Sequence, residues 1–264
     1  MTLEQMRAAQ EAYLKARNER GKIPATPEQE EKLLSYWKGV FADRPRASAT
    51  FTVVPRTAQE MDYQDARRKF WAVLQMRAAH IIAVQGVEDF NFTFSPEQAQ
   101  VVAGLLRYFI NDPASPYELH KGIFIYSKPG TGKTELMQAF SRFCEQYDLS
   151  KKFRIVHMPE VYEEARSGKD VVELYRQHTT CFDEFARVTG SVTVYGNPID
   201  PNEAILEARY LRRQRYGQIT HLIANATPND LVGEKSILSP ALQDRILEMF
   251  SGVFYPGESK RRKL

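Results

Sequence analysis

The spacing of apolar residues changes character near residue 89, and the two sides of that point predict different structures. Over residues 2–20, Leu3, Met6, Ala9, Tyr13 and Leu14 fall near helical spacing, and Gly21, Pro24 and Pro27 then break the pattern. Thr26-Pro-Glu-Gln29 has the form of a capping box with proline in the first turn. It should open a helix that carries Leu33, Leu34, Trp37, Val40 and Phe41 and ends near Arg44-Pro45. Residues 57–84 return to helical spacing, with Met61, Phe70, Trp71, Leu74, Ala78, Ile81 and Ile82 on one broad stripe. With no strong strand signal in it, the stretch 1–88 reads as a small all-helical module.

From Phe90 the pattern differs. Phe90, Phe92 and Phe94 alternate with polar residues, and Ser95-Pro-Glu-Gln98 caps a further helix through Ile110. Short apolar strands then alternate with helices: GIFIY (122–126), a helix from Gly132, FRIVHM (153–158), helical segments near 160–166 and 169–178, TTCFDEF (179–185) and ITHLIANA (219–226). That alternation predicts an α/β domain over 89–264 with a central parallel sheet flanked by helices.

Composition narrows the class. A 264-residue chain that is 43% apolar can bury one sizeable core plus a smaller appendage. Its first twenty or so residues interleave charge with apolar positions, which predicts a cytoplasmic protein with no membrane partner. Cys144 and Cys181 each sit alone in an apolar run, so they read as core thiols rather than as a disulfide or a metal site. The net charge of +3 owes more to the tail residues Lys260, Arg261, Arg262 and Lys263 than to the rest of the chain. Local basic clusters at Ala66–Lys69 and Leu211–Arg215 therefore say more about an anionic partner than the bulk charge does.

The chemistry concentrates after GIFIY. This strand runs directly into SKPGTGKT (Ser127–Thr134), and Leu136, Met137, Phe140, Phe143, Cys144 and Tyr147 follow at helical spacing. Ser127, Lys128, Pro129, Gly130, Thr131, Gly132, Lys133, Thr134 and Glu135 are thus the candidate triphosphate-binding segment for ATP. Gly130 and Gly132 let consecutive N–H groups face phosphate at a helix N-terminus. Lys133 would neutralise the β and γ phosphates, and the Thr134 hydroxyl would ligate Mg²⁺. Ser127 stands where the motif has its first glycine, which is tolerable if its φ is negative. In CFDEF, Asp183 at a strand end would support the metal, and Glu184 would polarise the attacking water.

Two further positions admit two readings each. Asn225 ends an apolar strand, either as a turn former or as an amide that holds the attacking water. Arg245 interrupts the helical pattern of Leu242, Ile246, Met249 and Phe250. It is either a solvated partner of Asp244 or Glu248, or an arginine finger for a neighbouring subunit. Arg212, Arg213 and Arg215 are likewise either a solvated or intersubunit helix face or contacts to DNA phosphates.

With PGTGKT, the Asp183-Glu184 pair, Asn225 and Arg245 in this order, residues 90–264 resemble the AAA+ ATPases of the DnaC/IstB-like branch. ITHLIANA is similar to that branch's THxTTN strand, DRILEMF to its finger helix, and GESKR (257–261) to its terminal element. VYGNP (194–198) with EARY (207–210) is similar to its YGN…RY pattern. The branch often has a second arginine where this chain has Ala241, and Arg261 is its candidate for the sensor-2 role. The resemblance implies a lidless P-loop core that binds ATP and Mg²⁺ between subunits of a homo-oligomeric ring or spiral. Lys133, Asp183 and Glu184 would come from one subunit and Arg245 from the next. It implies a DNA-replication ATPase acting on single- or double-stranded DNA and a replicative helicase, with the module at 1–88 as the partner-binding part. The alternatives are a transposition helper that polymerises on duplex DNA and recruits a transposase, and a nucleotide-gated binding module with little turnover.

Overall fold

The computed structural model describes residues 58–86, 90–194, 197–226, 228–231 and 238–259. The helices expected within 1–57 and the basic tail with Arg261 lie outside the described residues. The chain forms α1 (Tyr63–Gln85), α2 (Pro96–Phe109), β1 (Gly122–Tyr126), α3 (Lys133–Gln146), β2 (Arg154–His157), α4 (Met158–Arg166), α5 (Val171–Tyr175) and β3 (Thr180–Phe185). A short antiparallel pair, β4 (Val192–Val194) and β5 (Asn197–Ile199), precedes α6 (Pro201–Tyr216). Then come β6 (Thr220–Ala224), α7 (Pro228–Leu231), α8 (Pro240–Met249) and β7 (Phe250–Phe254).

Five strands pair in parallel in the order β2-β3-β6-β1-β7, the central parallel sheet flanked by helices that the sequence predicts. Both faces are covered, as an all-parallel sheet requires. Ile123, Ile125, Cys181, Ile223 and Val253 point into one core with α1, α2 and α3. Phe124, Phe182, Leu222, Ala224 and Phe250 point into a second core with α4, α6 and α8. Among the described residues no helix follows β7, and none is long and apolar enough to cross a membrane.

The capping box at Ser95 forms as the sequence predicts. The Ser95 hydroxyl accepts the Gln98 N–H at 3.3 Å and the Gln98 side chain accepts the Ser95 N–H at 3.1 Å. The domain boundary falls elsewhere than expected. Helix α1 belongs to the same compact unit as the sheet, and that unit begins at Thr57 rather than at residue 89. The reason is its partner: Phe70 stacks on Phe140 of α3 at 4.2 Å between ring centroids, and Arg77 Nε donates to Glu135 at 2.9 Å. Helical spacing reports that a face is apolar but not what will cover it, and Trp71, expected on that face, stands 49% exposed.

Two buried polar side chains tie the sheet to its surroundings. Arg209, in the EARY segment, is fully buried with no carboxylate among its hydrogen-bond partners. Its guanidinium donates to the Thr220 hydroxyl at 2.8 Å, to the carbonyls of Tyr175, Arg176, Gln177 and His178 at and beyond the end of α5, and to Ile219 O at 3.0 Å. It therefore satisfies the orphan carbonyls of a helix end inside the protein, and burial lowers its pKa to about 9. His221 sits where β1 and β6 approach so closely that a Cβ on Gly122 would lie 1.7 Å from Thr220 O. There the Ile123 N–H donates to His221 Nδ1 at 3.0 Å, so the imidazole replaces a ladder carbonyl. Burial, reinforced by the positive charges of Lys151 and Arg209, lowers its pKa to about 3 and keeps the ring neutral.

Candidate active site

The site is assembled at the carboxyl ends of β1, β3 and β6, where a parallel sheet presents its loops. Strand β1 delivers the chain to Ser127, and α3 begins at Lys133 with Gly132 as its N-cap. Gly130 and Gly132 have φ of 83° and 95°, values that side-chain-bearing residues rarely adopt, and this turns the loop back on the helix start. Ser127 is not among the residues with positive φ, so serine at that position costs the loop no backbone strain. Its hydroxyl lies 2.6 Å from Thr131 Oγ1 and accepts from Lys133 Nζ at 3.1 Å, a contact that glycine could not make.

Lys133 is 5% exposed, and its ammonium donates to Ser127 O at 3.0 Å, to Lys128 O at 3.0 Å and to Asn225 Oδ1 at 3.1 Å. Asn225, just beyond β6, is thus brought to Lys133 by its side-chain oxygen. The Thr134 hydroxyl donates to Asp183 Oδ2 at 2.9 Å. Asp183 is 2% exposed, and burial raises its pKa, opposed by the Thr134 hydroxyl, the Glu184 N–H and His157. A desolvated carboxylate beside a threonine hydroxyl is the donor set a hard, oxygen-seeking cation takes. Sequence reasoning missed His157, whose Nδ1 lies 3.3 Å from Asp183 Oδ2 because the two residues are register partners across β2 and β3.

Glu184 follows Asp183 at a register shift between β3 and β6, with a left-handed φ of 56°. Its carboxylate is half-buried and paired with Arg187. Pro129 and Lys128 are exposed, and Thr131 is buried. Glu135, expected beside the phosphates, turns to Arg77 of α1 instead.

Arg245 is not part of this cluster. Its Nη1 donates to Glu207 on α6 at 3.2 Å, and its guanidinium lies 4.8 Å from the Tyr210 ring centre, so its partner is neither Asp244 nor Glu248. The basic segment of α6 also lies apart. Arg212 donates to Gln218 at 2.7 Å and, with Lys152, Arg154, His178 and Tyr216, lines an open groove of about 890 Å³ at the N-terminal ends of β2 and β3. Arg213 is half-buried with its Nε unpartnered, and Arg215 is exposed.

No family model matches the sequence, and no curated protein matches it. Among solved structures the chain is similar to DnaI, at 14% identity and TM-score 0.46 over 66% of this chain and 88% of that one. It is similar to the DnaC helicase loader at 16% identity and TM-score 0.44, over 62% of this chain and 93% of that one. It is also similar to AMPPCP-bound DnaA from Aquifex aeolicus at 16% identity and TM-score 0.43, over 61% of this chain and 48% of that one.

Proposed function

We propose that this chain is a magnesium-dependent ATPase of the AAA+ helicase-loader type, hydrolysing ATP at interfaces between its own copies and acting on DNA and a replicative helicase. The observation that carries the reading is the convergence of Lys133, Asn225, Thr134 and Asp183 at the carboxyl ends of the central strands, with the 2.9 Å Thr134–Asp183 contact at its centre. Phosphates would rest on the N–H groups of the loop and on Lys133, taking the place of the carbonyls that hold Nζ. Thr134 and Asp183 would hold Mg²⁺, which supplies charge neutralisation for the phosphoryl group. Glu184 accepts a proton from water once it turns from Arg187, and the Asn225 amide orients that water.

The reading is tested by Glu184→Gln. The amide keeps size and polarity but is no base, so ATP turnover should fall about 10² to 10⁴-fold with Mg·ATP affinity retained, measured by phosphate release and by titration. One observation favours a second reading, the nucleotide-gated module: the Glu184 carboxylate is engaged by Arg187. A wild-type protein that binds Mg·ATP with no turnover, with or without DNA, would select it. Duplex-bound filaments without helicase affinity would select the transposition helper.

For DNA, the groove beside Arg212 has the features of a single-strand platform: cations along its wall and Tyr216, 64% exposed, to stack a base. Replacing Arg154 and Arg212 together with alanine should weaken single-stranded DNA binding and reduce its salt slope by about 1 to 2, read by anisotropy at several salt concentrations. An unchanged slope would remove the groove from the proposal.

A further inference from the structure

The turn that follows Glu184 is held in an unusual conformation. Glu184 and Ala186 have φ of 56° and 63°, left-handed values that residues other than glycine adopt only when their surroundings impose them. Within the turn, the Asp183 carboxylate accepts the Glu184 N–H at 2.8 Å, and the Arg187 N–H donates to Glu184 O at 3.0 Å. Among the described residues, the side chain that grips the turn from outside is Asn202 in the first turn of α6. Its Oδ1 accepts the Ala186 N–H at 3.4 Å, and its Nδ2 donates to Val188 O at 2.9 Å, so a single amide spans the backbone just beyond Glu184.

Asn202 is itself fixed on all sides. Its Nδ2 also donates to the Tyr162 hydroxyl at 2.7 Å, which in turn donates to Asp200 Oδ1 at 3.1 Å. Asp200 Oδ1 accepts the Asn202 N–H at 2.9 Å, and its Oδ2 accepts the Gly190 N–H at 3.2 Å. Asn202 and Tyr162 are each 1% exposed, so this network is held in a low-dielectric setting where a lost partner is felt fully.

Building on the ATPase reading above, we infer that Asn202 is a positioning residue for Glu184: its amide holds the left-handed turn that aims the carboxylate, and Tyr162 and Asp200 hold the amide. Nucleotide binding uses Lys133, Thr134, Asp183 and the loop, whereas the Asn202 amide bonds to Ala186, Val188 and Tyr162. Its loss should therefore appear in turnover and not in affinity, because a displacement of the base by about 1 Å is enough to cost on the order of 10²-fold in rate.

The test compares full-length wild type, Asn202→Ala and Tyr162→Phe. Asn202→Ala should lower kcat about 10 to 10²-fold with the Mg·ATP dissociation constant unchanged, and Tyr162→Phe should do the same more weakly, since its ring still packs. In a Glu184→Gln background, Asn202→Ala should lower the residual rate no further, because there is no base left to aim. Should Asn202→Ala fail to fold, Tyr162→Phe carries the comparison alone. Normal turnover in the variants, affinity falling in step with turnover, or additive losses with Glu184→Gln would overturn the inference while leaving the ATPase reading intact. A wild-type protein that binds Mg·ATP and never hydrolyses it would overturn both.

Discussion

Lys133→Ala should bind Mg·ATP at least about 10²-fold more weakly than wild type, the cost of leaving a buried charge without its counter-charge being about 3–5 kcal/mol. The ammonium is held at a fixed point by Ser127 O, Ser127 Oγ, Lys128 O and Asn225 Oδ1, so it is already placed where a triphosphate would arrive. Alanine removes the charge and leaves those oxygens facing the incoming phosphate, converting attraction into repulsion. Lys133→Met is the sharper variant, because it keeps much of the buried stem and changes the charge. Calorimetric titration with Mg·ATP, paired with a thermal melt showing a folded protein, reads the effect. Affinity within about threefold of wild type in the methionine variant would mean that the loop is not a phosphate site.

What the chain spelled out in advance was the part in which chemistry and local structure coincide. GIFIY followed by SKPGTGKT places a strand, a turn and a helix start in one run, and Ser95-Pro-Glu-Gln98 names its own cap. Asp183 stood out because an acidic pair follows a strand downstream of SKPGTGKT, and the fold brings its carboxylate to Thr134. The rest depended on partners far away in sequence. The stripe of α1 announced a buried face, and only the fold shows that Phe140 of the P-loop helix fills it. Strand β7 was hidden because Leu242, Ile246, Met249 and Phe250 keep helical spacing up to the point where the chain extends. Arg209 and His221 entered only as members of the EARY and ITHLIANA segments, with nothing local to mark either as buried. Their burial follows from the carbonyls at the end of α5 and from the close approach of β1 to β6, neither of which leaves a mark in local sequence. Asn202 was masked in the same way, standing in a helix first turn where asparagine is unremarkable, although its amide reaches the turn behind Glu184.

Arg245→Ala should bind ATP normally and hydrolyse it about 10³ to 10⁵-fold more slowly, the range an arginine finger supplies in phosphoryl transfer. The motive is position: Arg245 stays out of its own chain's cluster, resting on Glu207 and Tyr210. Its side chain is 25% exposed and that of Glu207 is 59% exposed, so the pair is a surface one worth about 0–1 kcal/mol. A neighbour's γ-phosphate could therefore draw the guanidinium away at little cost, and the alanine variant should fold. Mixing decides whether the finger acts between copies. Arg245→Ala protein keeps a sound nucleotide site but offers no finger, and Lys133→Ala protein offers a finger but no site. In a ring or spiral built from head-to-tail contacts, random assembly of equal amounts gives about one interface in four that joins an intact Lys133 to an intact Arg245. The mixture should then regain turnover that neither variant shows alone, with a maximum near equal proportions. Phosphate release measured across mixing ratios checks this, and a rate that stays at the level of the separate variants at every ratio would confine Arg245 to its pair with Glu207.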